Sequence, residues 1–94
     1  MKKNLDRDIL ADVGQRLIDH LQKRTDVQNI DLMNLSGFYR NCLSKWYVSA
    51  AENKNQIIDY NEVRELIYGM PYDEWKEKFQ KEATQEQLER LKSK

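Results

Sequence analysis

The sequence predicts an all-α fold: one small domain of about five helices over residues 1–94, with a long or jointed central helix. Apolar residues recur with helical spacing through most of the chain, and no segment shows the apolar–polar alternation that is typical of a strand. A chain of 94 residues is also the usual size of one domain with a thin hydrophobic core. Residues 3–4 and 92–94 are expected to fray.

Residues 5–24 are predicted to form the first helix. Large aliphatic residues recur every four positions from Leu5 to Leu21, which is typical of an amphipathic helix that packs on a core. Asn4 is the expected N-cap. His20 projects from the same stripe. It is either a functional group (a ligand, a base or a pH switch) or a histidine at the edge of the core that bonds a carbonyl or an aspartate.

The central stretch, residues 26–47, has the densest apolar content and contains the only cysteine. At 100° per residue it shows two faces. The bulky face is predicted to contact the core and consists of Leu35, Phe38, Tyr39, Cys42, Leu43 and Trp46. The second face carries mostly small and amide side chains, at Ile30, Asn34, Gly37, Asn41, Ser44, Val48 and Ala51.

The second face predicts a contact with another helix, and one such arrangement is a two-fold pair of chains. Small side chains let two backbones approach, and a buried Asn fixes register. The alternative is an ordinary solvated face. The residues predicted at this interface are Asn34, Gly37, Arg40, Asn41, Ser44, Lys45 and Val48. Glycine is unfavourable within a helix and serine is a good cap, so a joint between two helices at residues 35–37 is also expected.

Local signals divide the C-terminal part into three short helices. Residues 59–62 have capping-box spacing, and Gly69 followed by Pro71 predicts the end of one helix and the start of the next. A second capping box lies at residues 84–87. An aromatic cluster is either an exposed recognition patch or a cover over the core, and the cover is favoured because exposed apolar patches are costly. Its members are Tyr68, Met70, Pro71, Tyr72 and Trp75.

The composition limits the possible functions. Sixteen basic and sixteen acidic residues give a net charge of zero. Generic nucleic-acid binding requires a basic surplus, whereas a neutral chain has no electrostatic barrier to self-association. One cysteine excludes an intrachain disulfide, the N-terminus has no apolar signal segment, and no apolar run approaches membrane-spanning length. A cytoplasmic protein without a membrane partner is therefore expected.

No motif predicts an enzyme, and no catalytic residue is assigned. The sequence contains no phosphate-binding glycine loop, no Gly-x-Ser-x-Gly and no His-Glu-x-x-His. One histidine and one cysteine are too few for a structural zinc site, so neither a metal nor another cofactor is predicted. A polar pocket is the alternative site, and it would consist of His20, Asp26, Asn29, Asp31 and Cys42.

Three segments between about Leu17 and Leu88 resemble a family of short bacterial proteins known as domain of unknown function 1244: DVQNIDLMNLSGFYRNCLSKWY, YGMPYDEWKEKFQ and EATQEQ. The resemblance implies a small all-helical protein and assigns no activity. Many members of the family carry Cys-Arg-Asn-Cys where this chain has Tyr39-Arg40-Asn41-Cys42, so a redox or zinc role for such a pair does not hold here. We interpret Tyr39 and Cys42 as packing residues.

The sequence names no substrate or partner. The favoured function is a small non-enzymatic helical module, for interaction or regulation, that self-associates as a homodimer; a different protein partner also fits. One alternative is a small enzyme, ligand-binding or metal-binding protein that uses a polar pocket around His20, Asp31 and Cys42. A second is a weak nucleic-acid binder that uses Arg40 and Lys45, which the zero net charge disfavours.

Overall fold

The computed structural model describes residues 5–93, and these form one all-α domain, as predicted. Six helical segments follow one another, and α4 and α5 are separated by only three residues. No strand occurs in the described range. The helices are α1 (Arg7–Lys23), α2 (Asn29–Ser36), α3 (Arg40–Glu52), α4 (Tyr60–Tyr68), α5 (Tyr72–Phe79) and α6 (Gln85–Lys92).

The start of α1 lies later than predicted. The Asp6 carboxylate accepts hydrogen bonds from the backbone N–H groups of Asp8 and Ile9, at 2.8 and 3.1 Å, and is therefore the N-cap. Asn4, the predicted cap, lies outside the described residues. The predicted frayed residues 3–4 and 94 lie outside them as well.

The central stretch is two helices, because the chain turns at Gly37. This residue has a φ of 81°, which a glycine adopts without steric cost, and its N–H donates to the Met33 carbonyl at 2.9 Å. Ser36 does not cap α3. It is the last residue of α2, and its hydroxyl donates to the Leu32 carbonyl at 2.8 Å. The N-cap of α3 is Tyr39.

The bulky face of the central stretch does not form the core as predicted, whereas the small face packs against other helices of the same chain. The bulky face, expected to contact the core, leaves Leu35 80% and Trp46 56% exposed, and its other members are half-buried. Four of the seven residues of the small face are buried: Asn34, Asn41, Ser44 and Ala51. Ile30 and Val48 are half-buried and Gly37 is exposed. The α3 part of this face packs closely against α4, since small side chains let two helix backbones approach, whereas Asn34 of α2 contacts α6.

The core is built mainly from α4 and α5. Val63, Ile67 and Tyr68 of α4 and Trp75 of α5 are each at most 5% exposed. The Trp75 ring lies 5.0 Å from that of Tyr68 and 5.9 Å from that of Phe79. The two most buried rings of the aromatic cluster therefore cover the core, while Pro71 at the turn is exposed.

The predicted end of α4 and the predicted capping box of α6 are confirmed, whereas the predicted capping box of α4 is not. Gly69 ends α4 with a φ of 76°. Thr84 and Gln87 form the expected capping box of α6, with bonds of 3.1 and 2.8 Å. The capping box predicted from Asp59 does not form, because the Asp59 side chain makes no cap hydrogen bond.

The molecule is elongated because α1 extends beyond the core. The radius of gyration is 15.3 Å, whereas a compact domain of this length has about 12 Å. Only the C-terminal part of α1 is packed: Leu21 is buried, and the Gln22 side-chain amide donates to the Leu66 and Ile67 carbonyls of α4. None of the helices within residues 5–93 is long and apolar enough to cross a membrane.

Candidate interaction surface and buried polar networks

The most buried charged group of the described chain is the guanidinium of Arg40, at the start of α3. Arg40 is 1% exposed. Its Nη1 donates to the Val27 carbonyl and to Asn29 Oδ1, both at 2.9 Å. Its Nη2 donates to the carbonyls of Arg24 at 2.9 Å and Leu21 at 3.3 Å.

These acceptors explain why a charge is tolerated at this position. The last carbonyl groups of α1 have no partner within the helix and carry partial negative charge, and the guanidinium of Arg40 supplies both hydrogen bonds and positive charge. Its carbon Cζ also lies 4.9 Å from the centre of the Trp75 ring, a favourable cation–π contact. Burial lowers the pKa of Arg40 from its ordinary value. Arg40 thus joins α1, the loop after it, α3 and α5.

The network continues from Arg40 through two amides to Tyr68. The Asn29 oxygen accepts from Arg40, and its nitrogen donates to the Tyr68 hydroxyl at 2.9 Å. The Tyr68 hydroxyl donates to Asn41 Oδ1 at 2.6 Å. Each group is engaged within the chain, so the arrangement holds four elements in fixed positions rather than presenting a reactive atom to a substrate.

The buried Tyr68 hydroxyl predicts a loss of stability at alkaline pH. Burial raises the pKa of Tyr68 above its ordinary value of 10.0, although the hydrogen bond from Asn29 acts in the opposite direction. Above pH 10 the unfolded chain therefore loses the Tyr68 proton while the folded chain keeps it. The contribution of Tyr68 to stability is complete below this pH and falls as the pH rises. Urea unfolding between pH 9 and about 11 should show a decreasing free energy of unfolding.

The matched variants for this prediction are Tyr68→Phe and Tyr47→Phe. Tyr68→Phe should be less stable at neutral pH by about 1–2 kcal/mol, because Asn41 loses its partner. It should also show a shallower decrease above pH 10. Tyr47 is 53% exposed, so Tyr47→Phe serves as the control. The prediction would be contradicted if the free energy of unfolding fell equally steeply above pH 10 in Tyr68→Phe and in the unchanged protein.

A second polar cluster joins α2 to the C-terminal segment. The Gln28 side-chain amide donates to the Phe79 carbonyl at 2.9 Å and accepts from the Lys81 N–H at 2.8 Å. Asp31 accepts from the Gln87 side chain at 2.8 Å, and Asn34 donates to the Gln87 carbonyl at 3.1 Å. No sequence pattern singled out Gln28, because glutamine is not a preferred cap residue.

The residues of the predicted polar pocket lie in different environments. His20 is exposed on α1, and Asp26 is exposed and forms an ion pair with Arg24 at 3.0 Å. Asn29 belongs to the Arg40 network and Asp31 to the second cluster, while Cys42 is a half-buried free thiol on α3. A cleft of about 280 Å³ lies between α2 and the segment after α5. Of the five predicted pocket residues, only Asn29 lines this cleft.

The predicted interface residues are mostly engaged within the chain. Asn34, Arg40, Asn41 and Ser44 are buried, the first three through the hydrogen bonds described above. The other three are accessible to different degrees: Gly37 and Lys45 are exposed, and Val48 is half-buried. The four buried residues cannot contact a second copy without opening the fold, and self-association itself stays a prediction.

A run of accessible apolar side chains lies instead along one face of α1. We call this the α1 apolar face, and it consists of Leu5, just before the helix, and Ile9, Leu10, Val13 and Leu17 of the helix itself. These side chains are between 41% and 76% exposed. The periodic spacing predicted an amphipathic helix, but the stripe turns away from the core, and only Leu21 at its end is buried there.

The fold and these sites define a small all-α protein with a polar network at its centre and an uncovered amphipathic helix. The family model of DUF1244, described as a protein of unknown function, matches residues 27–93, and the chain belongs to this family. A search of curated proteins found no match. The matched region begins after α1, so it contains the side chains of both polar networks and leaves the α1 apolar face outside.

Proposed function

We propose that this protein is a non-enzymatic helical interaction module that self-associates through the α1 apolar face. The observation that carries the proposal is the exposure of five large aliphatic side chains, four on α1 and Leu5 just before it. An apolar patch of this kind on a folded domain typically marks an interaction surface, because water contact is unfavourable for it. The net charge of zero adds no long-range repulsion between copies.

The buried polar groups support the non-enzymatic part of the proposal. Arg40, Asn29, Tyr68 and Asn41 use their donors and acceptors on one another and on backbone carbonyls. A catalytic group would need to reach a substrate, whereas these groups fix the positions of α1, α3 and α4. In this proposal the body of the domain is a rigid support that holds α1 outward.

Light scattering on the purified chain tests the proposal. A homodimer should give twice the chain mass of 11.3 kDa at high concentration. We expect a weak association, so the chain should be measured from about 1 µM to about 1 mM. Ile9→Glu and Val13→Glu should shift the protein to 11.3 kDa. Burial of such a side chain contributes about 1.5–3 kcal/mol and occurs twice per dimer, so each variant should weaken association by at least about 100-fold.

Ile57→Glu is the matched control. Ile57 is 98% exposed in the loop before α4, so the same chemical change there removes no buried contact. It should leave the mass unchanged, and circular dichroism should show that all three variants remain helical. A mass of 11.3 kDa for the unchanged chain at every concentration, or equal effects of Ile57→Glu and Ile9→Glu, would refute self-association through this face.

A further inference from the structure

We infer that the occupant of the α1 apolar face is the α1 helix of a second copy, packed antiparallel about a two-fold axis near Val13. This inference rests on the proposed function and specifies the partner surface and its direction. Two independent features of α1 support it: the position of the apolar residues along the helix and the distribution of charge along one edge of the face.

The apolar residues form a single ridge with Val13 close to its centre. Ile9, Val13 and Leu17 are spaced by four positions, which is the spacing of the ridges in the commonest class of helix packing. When two such helices cross antiparallel at Val13, Val13 of one copy meets Val13 of the other, and Ile9 lies opposite Leu17. A two-fold axis requires this reciprocity, since each contact must occur twice.

The charge along the edge next to Ile9 changes sign at the same point. At 100° per residue, Asp8 and Asp12 lie on this edge in the N-terminal half, and Arg16 and Lys23 lie on it in the C-terminal half. In an antiparallel pair the same edges face each other, so Asp12 of one copy lies near Arg16 of the other. In a parallel two-fold pair this edge would face the opposite edge of the partner helix, so these oppositely charged residues would not meet. Asp19 also lies on the C-terminal half of this edge, which keeps a net positive charge because it holds both Arg16 and Lys23. The Asp19 carboxylate accepts a hydrogen bond from Gln15 of its own helix at 2.9 Å.

The accessible area is sufficient for a weak dimer. From their exposed fractions, the five residues of the α1 apolar face present roughly 500 Å² per copy, so their complete burial would give about 1,000 Å² in total, the lower limit of specific interfaces. The antiparallel arrangement also places the N-terminus of each helix near the C-terminus of its partner, where the helix dipoles attract each other. Both points favour a second copy as the occupant.

Disulfide cross-linking tests the direction of the pair. The experiment uses the full chain with Cys42→Ser, which removes the only natural thiol. Val13→Cys on this background should form a disulfide with its own copy, because the two-fold axis brings the residue onto itself. Leu5→Cys is the matched control: eight residues from Val13 at 1.5 Å each, the two copies of Leu5 lie about 24 Å apart in an antiparallel pair, beyond disulfide reach. A mixture of Ile9→Cys and Leu17→Cys chains should form the mixed disulfide preferentially.

The outcomes separate this inference from the proposed function. Val13→Cys should cross-link at least about tenfold faster than Leu5→Cys, because the dimer raises the local thiol concentration. Equal rates for the two variants would show a parallel pair, which overturns the inference and leaves self-association intact. A dimer mass without any of these disulfides would mean that the copies associate through another surface. A monomer mass would overturn both, and the α1 apolar face would then belong to a different protein.

Discussion

Replacement of Arg40 by alanine is expected to lower the free energy of unfolding by about 3–5 kcal/mol. The side chain is 1% exposed and donates to four oxygen atoms, three of them backbone carbonyls at Leu21, Arg24 and Val27. The Val27 carbonyl and Asn29 Oδ1 would lose this donor. The Leu21 and Arg24 carbonyls would keep only the backbone N–H groups of Arg24 and Val27, at 3.2 and 3.0 Å. The substitution would also remove the group stacked on Trp75 and leave a cavity.

Chemical unfolding of three variants separates the causes of this loss. Arg40→Met keeps most of the side-chain volume but supplies no donor, so it should remain destabilised by at least about 2 kcal/mol. Arg40→Lys keeps the charge but not the planar, five-donor geometry, and it should lie between Arg40→Met and the unchanged protein. Lys45→Ala, at an exposed position on the same helix, should change stability by no more than about 0.5 kcal/mol. A cost below about 1 kcal/mol for Arg40→Ala would contradict the role assigned to Arg40.

The sequence predicted the helix ends that are encoded by neighbouring residues. Gly69 before Pro71 and the Thr84–Gln87 capping box could be identified because each acts within one turn of the chain. The joint near Gly37 was predicted as an alternative to a continuous helix for the same reason. The capping box at Asp59 shows the limit of such signals, since suitable residue types do not require the bond to form.

The sequence did not predict which faces of the helices are buried. Periodicity identified two faces of the central stretch, but which of them is buried depends on tertiary packing, because α4, the next helix, packs on the small side chains of α3. The role of Arg40 depends in the same way on carbonyls that the fold brings to it. For α1 the stripe was identified, yet spacing alone cannot show whether a stripe packs within the chain or remains open.

Replacement of Trp75 by alanine is expected to cost about 3–5 kcal/mol, which is a large part of the stability of a domain of this size. Trp75 is 1% exposed and contacts the rings of Tyr68 and Phe79 and the guanidinium of Arg40. Its loss would remove the largest buried side chain and leave the guanidinium without its stacking partner. We expect Trp75→Ala to be partly unfolded at 37 °C, as measured by circular dichroism and thermal unfolding.

Trp46 supplies the matched control, because it is the only other tryptophan of the chain and is 56% exposed on α3. Trp46→Ala removes the same side chain but only a partial contact with Phe38, so it should cost less than about 1.5 kcal/mol. Fluorescence distinguishes the two sites. The Trp46→Ala chain, which keeps Trp75, should emit at shorter wavelength and be less accessible to a soluble quencher than a Trp75→Phe chain, which keeps Trp46. Equal stability losses for the two alanine variants would show that the core is not centred on Trp75.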